Sequence, residues 1–253
     1  MKLAAVIASA AVLVFAEPAL AQPAHSMNDS MAAPSGQPLP GDHESAPVYS
    51  FLRANRLDYG PSQLGARGSW DIDARIGTDE HRLVVKSEGD FVRGKGQSAD
   101  LQFLYSKPIS EFFDFQVGAR HLFVPGNRNY FAIGIQGIVP GFIETEATLF
   151  VSEKGQASAR VRTELDLAWT SRIYSRPSFE LEAHASDDRR VGTYAGIGAM
   201  KLAIQTRYQL TREVAPYVEV GWEKEFGRAG KLARQESGRS DNAYAVIGVR
   251  LLY

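Results

Sequence analysis

Hydrophobic and polar positions alternate along most of this chain. From residue 48 onward, apolar side chains recur at every second position in short runs separated by turn residues. Ile72, Ala74 and Ile76 oppose Asp71, Asp73 and Arg75, and Leu101, Phe103 and Tyr105 oppose Asp100 and Gln102. Phe113, Phe115 and Val117 oppose Asp114 and Gln116. Val161, Leu165, Leu167 and Trp169 oppose Arg160, Arg162, Glu164 and Asp166. A period of two is the signature of a strand with two unlike faces. It predicts twelve strands: 49–58, 68–77, 80–93, 97–106, 112–123, 129–139, 142–151, 157–171, 173–186, 198–211, 215–226 and 242–253. Most approach the ~9–11 residues that a tilted strand needs to cross a bilayer.

The period alone admits two folds. A soluble sandwich or lipocalin turns its apolar face inward and its charges outward. A transmembrane barrel does the reverse. The last strand, NAYAVIGVRLLY, favours the membrane fold. Ala243, Ala245, Ile247, Val249 and Leu251 form one wholly apolar face that ends on the aromatic Tyr253. Loop lengths point the same way. With an even strand count and both ends periplasmic, the long connections 187–197 and 227–241 fall on outer loops. Thr78-Asp79, Pro140-Gly141 and Arg172 fall on short periplasmic turns, as barrels of this kind require. The expected fold is all-β: a transmembrane antiparallel up-and-down β-barrel of about twelve strands over 49–253, behind a disordered N-terminal segment.

Residues 1–21 read as a secretory signal peptide. Lys2 supplies the charge, 3–16 the apolar region and Ala19-Leu20-Ala21 the small-x-small cleavage site, with a cut expected before Gln22. That apolar run is too short to span a bilayer as a helix. Residues 22–48, rich in Pro, Ser, Gly and Ala, are a periplasmic linker with too little apolar surface to order itself. The linker carries His25, Met27, Met31 and His43. Imidazole and thioether suit copper, the thioether Cu(I) in particular. Such sparse residues in a mobile tail are also ordinary composition.

Composition narrows the function classes. The 253 residues include no cysteine, which excludes a disulfide framework and thiolate metal sites. The net charge of -1 gives no reason to expect a nucleic-acid partner. A mean hydropathy of -0.21 is too polar for a helical membrane protein and suits a barrel.

Several stretches resemble the copper resistance protein B family of outer-membrane proteins. They are HRLVVKSEGD (81–90), ADLQFLYSKPIS (99–110), FFDFQVGAR (112–120), the long stretch 134–172, LAIQTRYQLTREVAPYVEVGWEKEFG (202–227) and the closing strand. The closing strand also resembles the final strand of bacterial outer-membrane barrels, whose terminal aromatic signals assembly. The resemblance implies an outer-membrane barrel that binds or conducts copper, takes part in copper resistance and catalyses nothing. It implies outer-membrane lipid and the barrel-assembly machinery as partners, with periplasmic copper-binding proteins beyond them. The family's N-terminal region is typically long and rich in Met and His, whereas here it is short.

The inward face supplies the candidate site. By parity, inward acids outnumber inward bases, which makes the lumen attractive to cations. Glu144 with Glu146, and Glu180 with Glu182, place carboxylates two residues apart on one face, roughly 7 Å along the strand. His184 adds the one lumenal imidazole. These five are the expected copper contacts, as a path of weak sites rather than a cage. The competing expectation is that Arg160 and Arg162, on the strand between, neutralise the acids in a closed ion-pair lattice. Two other classes stay open: a purely structural or adhesive barrel, and a barrel phospholipase. Against the latter, no G-x-S-x-G or H-E-x-x-H occurs, His184 and Ser186 face inward, and His121 falls on the lipid face.

Overall fold

The computed structural model describes residues 47–253. The expected signal peptide and nearly all of the expected linker, with His25, Met27, Met31 and His43, lie outside the described residues. The described chain runs β1 Tyr49–Ser62, β2 Gly65–Gly77, β3 Arg82–Val92, β4 Lys95–Pro108, β5 Phe113–Val124, β6 Arg128–Val139 and β7 Ile143–Ser152. It continues with β8 Ala157–Leu165, which resumes past Asp166 as Leu167–Ala168, then β9 Ile173–His184, β10 Gly196–Tyr208, β11 Val214–Glu225, α1 Gly227–Ser237 and β12 Asp241–Leu252. Each strand pairs antiparallel with the next, and β12 pairs with β1 through Tyr59↔Ile247 and Ser62↔Tyr244. The sheet is therefore a closed twelve-stranded barrel, and closure leaves no strand edge unpaired.

The faces resolve the ambiguity of the alternation. Along β12, Val246 is 3% exposed and its neighbour Ile247 is 69% exposed. Phe103, Phe131, Leu202, Ile204, Val218 and Val220 also lie on the exposed outer surface. Asp73, Lys86, Asp100, Arg160, Arg207 and Glu219 are buried inside. An apolar exterior around a charged interior is a solution for lipid, since water outside would invert it.

The start of β1 and the end of β12 share one barrel end with the short turns 78–81, 109–112, 140–142, 169–172 and 209–213. The opposite end carries the two long connections, 185–195 and 226–240, in agreement with the loop lengths. Phe112, Phe142, Trp169 and Tyr253 project at the short-turn end, where Phe142 and Tyr253 are more than four-fifths exposed. They form the aromatic rim expected where a barrel meets the bilayer interface. Tyr253 also exchanges two backbone hydrogen bonds of 2.8 Å with Leu52 across the closing seam. Tyr253→Asp sets a carboxylate at that interface beside the seam. Folded, heat-modifiable barrel in membrane fractions should fall several-fold, and a normal yield would show that the rim position is indifferent.

Three features depart from simple alternation. A bulge in β1 between Ala54 and Arg56 shifts the register against β2. It turns both Arg53 and Arg56 inward although their parities differ, because the one extra residue of a bulge reverses the parity of every later position in the strand. Asp166 interrupts β8, where Arg176 on β9 and Arg207 on β10 both grip its carboxylate. The connection after β11 contains α1, which ends on Gly238 in the left-handed conformation at φ 78°. Small glycines let aromatics cross the inner wall. The Tyr217 ring on β11 lies across Gly248 on β12, and its hydroxyl donates to Asp58 on β1 at 2.8 Å.

Candidate functional site

Two arginines, two residues apart on β8, divide the lumen. Arg162 donates to Glu180 through Nε (2.9 Å) and to Glu88 through Nη2 (2.7 Å), with Asp71 at 3.6 Å from Nη1. Arg160 donates to Glu182 through Nε (2.9 Å) and to Glu88 through Nη1 (3.2 Å), with Asp100 at 3.8 Å. Glu180 and Glu182 are on the adjacent strand β9, but Glu88 is on β3, five strands away. These bonds therefore cross the lumen. Lys86 on β3 makes a second crossing to Glu146 on β7 at 2.8 Å. The Phe150 ring on β7 supports the guanidinium groups of Arg120 and Arg160, whose centres lie 4.6 and 5.4 Å from its centroid. Planar guanidinium groups with five donors suit such a belt, since each serves several carboxylates at once.

The belt separates two cavities. On the long-loop side lies a chamber of about 1130 Å³, into which Glu180, Glu182 and His184 face. On the short-turn side lies a cavity of about 60 Å³, with Glu144 and Glu146 in its wall. Asp71, Glu88 and Arg162 line both, which places them at the partition. The loop 185–195 and α1 cover the large chamber. The loop is fastened by Asp188, which accepts two hydrogen bonds from Arg128 at 2.9 and 2.7 Å. Arg228 of α1 sits 4.8 Å from the Tyr194 ring, joining the two coverings.

The five lumenal candidates occupy one wall, β7 and β9, on both sides of this partition. Glu146 is engaged by Lys86, Glu180 by Arg162 and Glu182 by Arg160. Glu144 is more loosely held, with Arg176 at 3.9 Å. His184 lies flat over the Gly198 backbone, where a Cβ would meet its Nε2 at 2.6 Å. Its ring borders the chamber. Among the described residues, no three His, Asp or Glu side chains are gathered as a metal cage. His121 hydrogen-bonds Asn129 at 2.6 Å at the outer surface, away from the lumen.

Parity over the strand cores overlooks several inward cations. Arg53 and Arg56 are inward because of the β1 bulge, and Arg67 lies just before the predicted start of β2. Arg176 shares the parity of Glu180 and was legible on that ground. Arg128 binds Asp188, a loop residue that no periodicity marks. With these included, acids exceed bases by less than the alternating segments alone implied.

The described barrel matches known proteins over almost its full length. The family described as copper resistance protein B precursor matches residues 48–253. "Copper resistance protein B homolog" of Pseudomonas syringae pv. tomato is 32% identical over 212 residues, covering 83% of this chain and 72% of the relative. "Copper resistance protein B" of Escherichia coli is 31% identical over 212 residues, covering 83% and 71%. Among solved structures, the NanC porin aligns with a TM-score of 0.53 at 13% identity, covering 79% of this chain and 98% of the porin. That likeness concerns the fold alone, a closed antiparallel barrel; the family match together with this barrel places the chain in the outer membrane of a Gram-negative bacterium. None of these descriptions names a reaction.

Proposed function

We propose that this chain, which belongs to the copper resistance protein B family, binds copper ions in the lumen of an outer-membrane barrel and passes them along its β7–β9 wall. The observation that carries this reading is the position of the five candidates relative to the partition. Glu180, Glu182 and His184 face the large chamber, and Glu144 and Glu146 face the cavity beneath it. An ion held by one carboxylate finds the next roughly 7 Å on. Binding loose enough to leave is what transit requires, and a three-ligand cage would oppose it. His184 supplies the ligand best matched to copper. Arg160 and Arg162 compete with the ion for the same oxygens, so the belt acts as the barrier of the path. His25, Met27, Met31 and His43 fit a weak collector on the periplasmic side. The barrel-assembly machinery inserts the barrel, and periplasmic copper-binding proteins exchange ions with it.

The test is the triple variant Glu146→Gln, Glu180→Gln, His184→Ala in liposomes loaded with a copper indicator. The path reading expects copper content and flux to drop several-fold in a barrel that still assembles. Unchanged copper with a lowered unfolding midpoint would instead make these residues part of a purely structural lattice.

A further inference from the structure

The large chamber is covered by a segment that one ion pair holds down. The loop leaves β9 at His184 and rejoins β10 at Gly196, yet its tip is tied to Arg128 at the start of β6, three strands round the wall from β9. It therefore crosses the mouth, and Asp188, Val191 and Thr193 form part of the chamber's lining. Within the tip, residues 188–193, the bonds are internal. The Asp188 N–H donates to the Thr193 carbonyl at 2.8 Å, and the Asp188 carbonyl accepts from Val191, Gly192 and Thr193. The Asp188 carboxylate also accepts from the Arg190 N–H at 3.1 Å. A turn bonded in this way moves as one piece. Among the described residues, the hydrogen bonds that leave it for the barrel wall are the two from Arg128 to Asp188. Otherwise the tip rests on the β5–β6 turn, where a Cβ on Gly126 would meet the Arg190 carbonyl oxygen at 2.5 Å.

Arg128 has a second carboxylate within reach. Its Nη1 lies 3.7 Å from Oε1 of Glu153, in the turn between β7 and β8. Glu153 belongs to the fixed rim: its N–H donates to the Asn129 carbonyl at 3.0 Å, and its Oε2 accepts from Asn129 Nδ2 at 2.8 Å. The Arg128 guanidinium also has a donor to spare, since its buried Nε has no partner. Breaking a buried ion pair is costly because it strands a charge. Here the guanidinium can turn to Glu153 while Asp188 leaves with the tip for water, so neither charge is left buried and alone.

We propose that residues 188–193 are a lid on the chamber, latched by the Arg128–Asp188 pair and released when Arg128 exchanges Asp188 for Glu153. The two arms of the loop supply the hinge line. Arg228 of α1 stands 3.4 Å from Asp187 on one arm and 4.8 Å from the Tyr194 ring on the other, which confines the movement to the tip between them. Two discrete partners for one arginine give two discrete lid positions, as a gate requires. The lid rests on the lumenal path proposed above, since it sets whether the chamber of that path is open on the long-loop side.

The experiment reads access to the chamber without copper. The chain has no cysteine, so Ser158→Cys in the chamber wall gives the full barrel a single thiol. Fluorescein maleimide is added to this barrel folded in detergent, and the labelling rate is measured. The narrow cavity on the short-turn side keeps so large a reagent to the lidded mouth. Adding Asp188→Asn releases the latch and should raise the rate at least tenfold. Adding Glu153→Gln weakens the alternative partner and should lower it several-fold below the parent. Heat-modifiable migration checks folding, and Glu153→Gln carries the test if the Asp188→Asn barrel does not assemble. An Asp188→Asn rate equal to the parent's, or a Glu153→Gln rate that matches or exceeds it, would overturn the lid. Rates that shift as expected while copper flux is absent from every barrel would leave the lid standing and remove the copper path.

Discussion

Gly248→Val should prevent barrel closure, and folded protein in the outer-membrane fraction should be nearly absent. A Cβ at this position meets the Tyr217 ring at 2.6 Å and the carbonyl oxygen of Leu57 at 2.7 Å. The carbonyl belongs to β1, which β12 must join at Asp58↔Gly248, so it cannot retreat without opening the seam. Moving the ring is equally harmful. Tyr217 reaches across β12 to donate to buried Asp58, which also accepts from the backbone and the hydroxyl of Ser69 on β2. Three strands, β11, β1 and β2, are tied across the closure through that one carboxylate. Displacing the tyrosine leaves a buried acceptor short of a partner, about 1–3 kcal/mol. Overpacking adds roughly another 1–3 kcal/mol. Gly221→Val is the comparison: the three nearest atoms to its Cβ all belong to the Tyr244 ring, so it costs the Tyr244–Glu219 hydrogen bond while the nearest clash involves no backbone of the closing seam. Heat-modifiable migration reads both variants. A Gly248→Val barrel that assembles as well as the Gly221→Val one would refute the seam argument.

Much of this architecture was written in the alternation. Side-chain direction reverses at every strand residue, so the face of Asp71, Asp100 or Glu180 follows from parity alone. The lipid-facing sense followed once the apolar face of β12 was joined to its terminal aromatic. Parity fails where the backbone departs from the ladder. The β1 bulge inverts it, so Arg53 and Arg56 escape the count. The break at Asp166 is hidden because Leu165, Asp166 and Leu167 keep the alternating pattern while two arginines hold the aspartate. Helix α1 carries only Ala229, Leu232 and Ala233 as an apolar stripe, interrupted by glycine and charge. The candidate site was legible as a wall but not as a height. Sequence shows that Glu180 and Arg162 share the inner face. It does not show that Glu88, 74 residues from Arg162, lies across the lumen from it.

That crossing gives the prediction that bears most directly on transport. Arg162→Met should raise copper flux several-fold and lower stability together. The guanidinium serves Glu180 and Glu88 directly and stands 3.6 Å from Asp71, so its removal leaves three carboxylates facing one another at the partition. Breaking a buried pair by removing one partner costs about 3–5 kcal/mol. The chamber beside this belt is large and polar, so roughly half of that is the reasonable expectation here. The same change removes a positive barrier and exposes acids that attract a cation, which is why flux should rise as stability falls. A second substitution separates the effects. Adding Glu88→Gln relieves the repulsion and should recover most of the urea midpoint, while the path stays unblocked and flux stays high. If Arg162→Met loses stability and copper flux does not change, the belt is only a structural brace, and the route for copper along β7 and β9 is wrong.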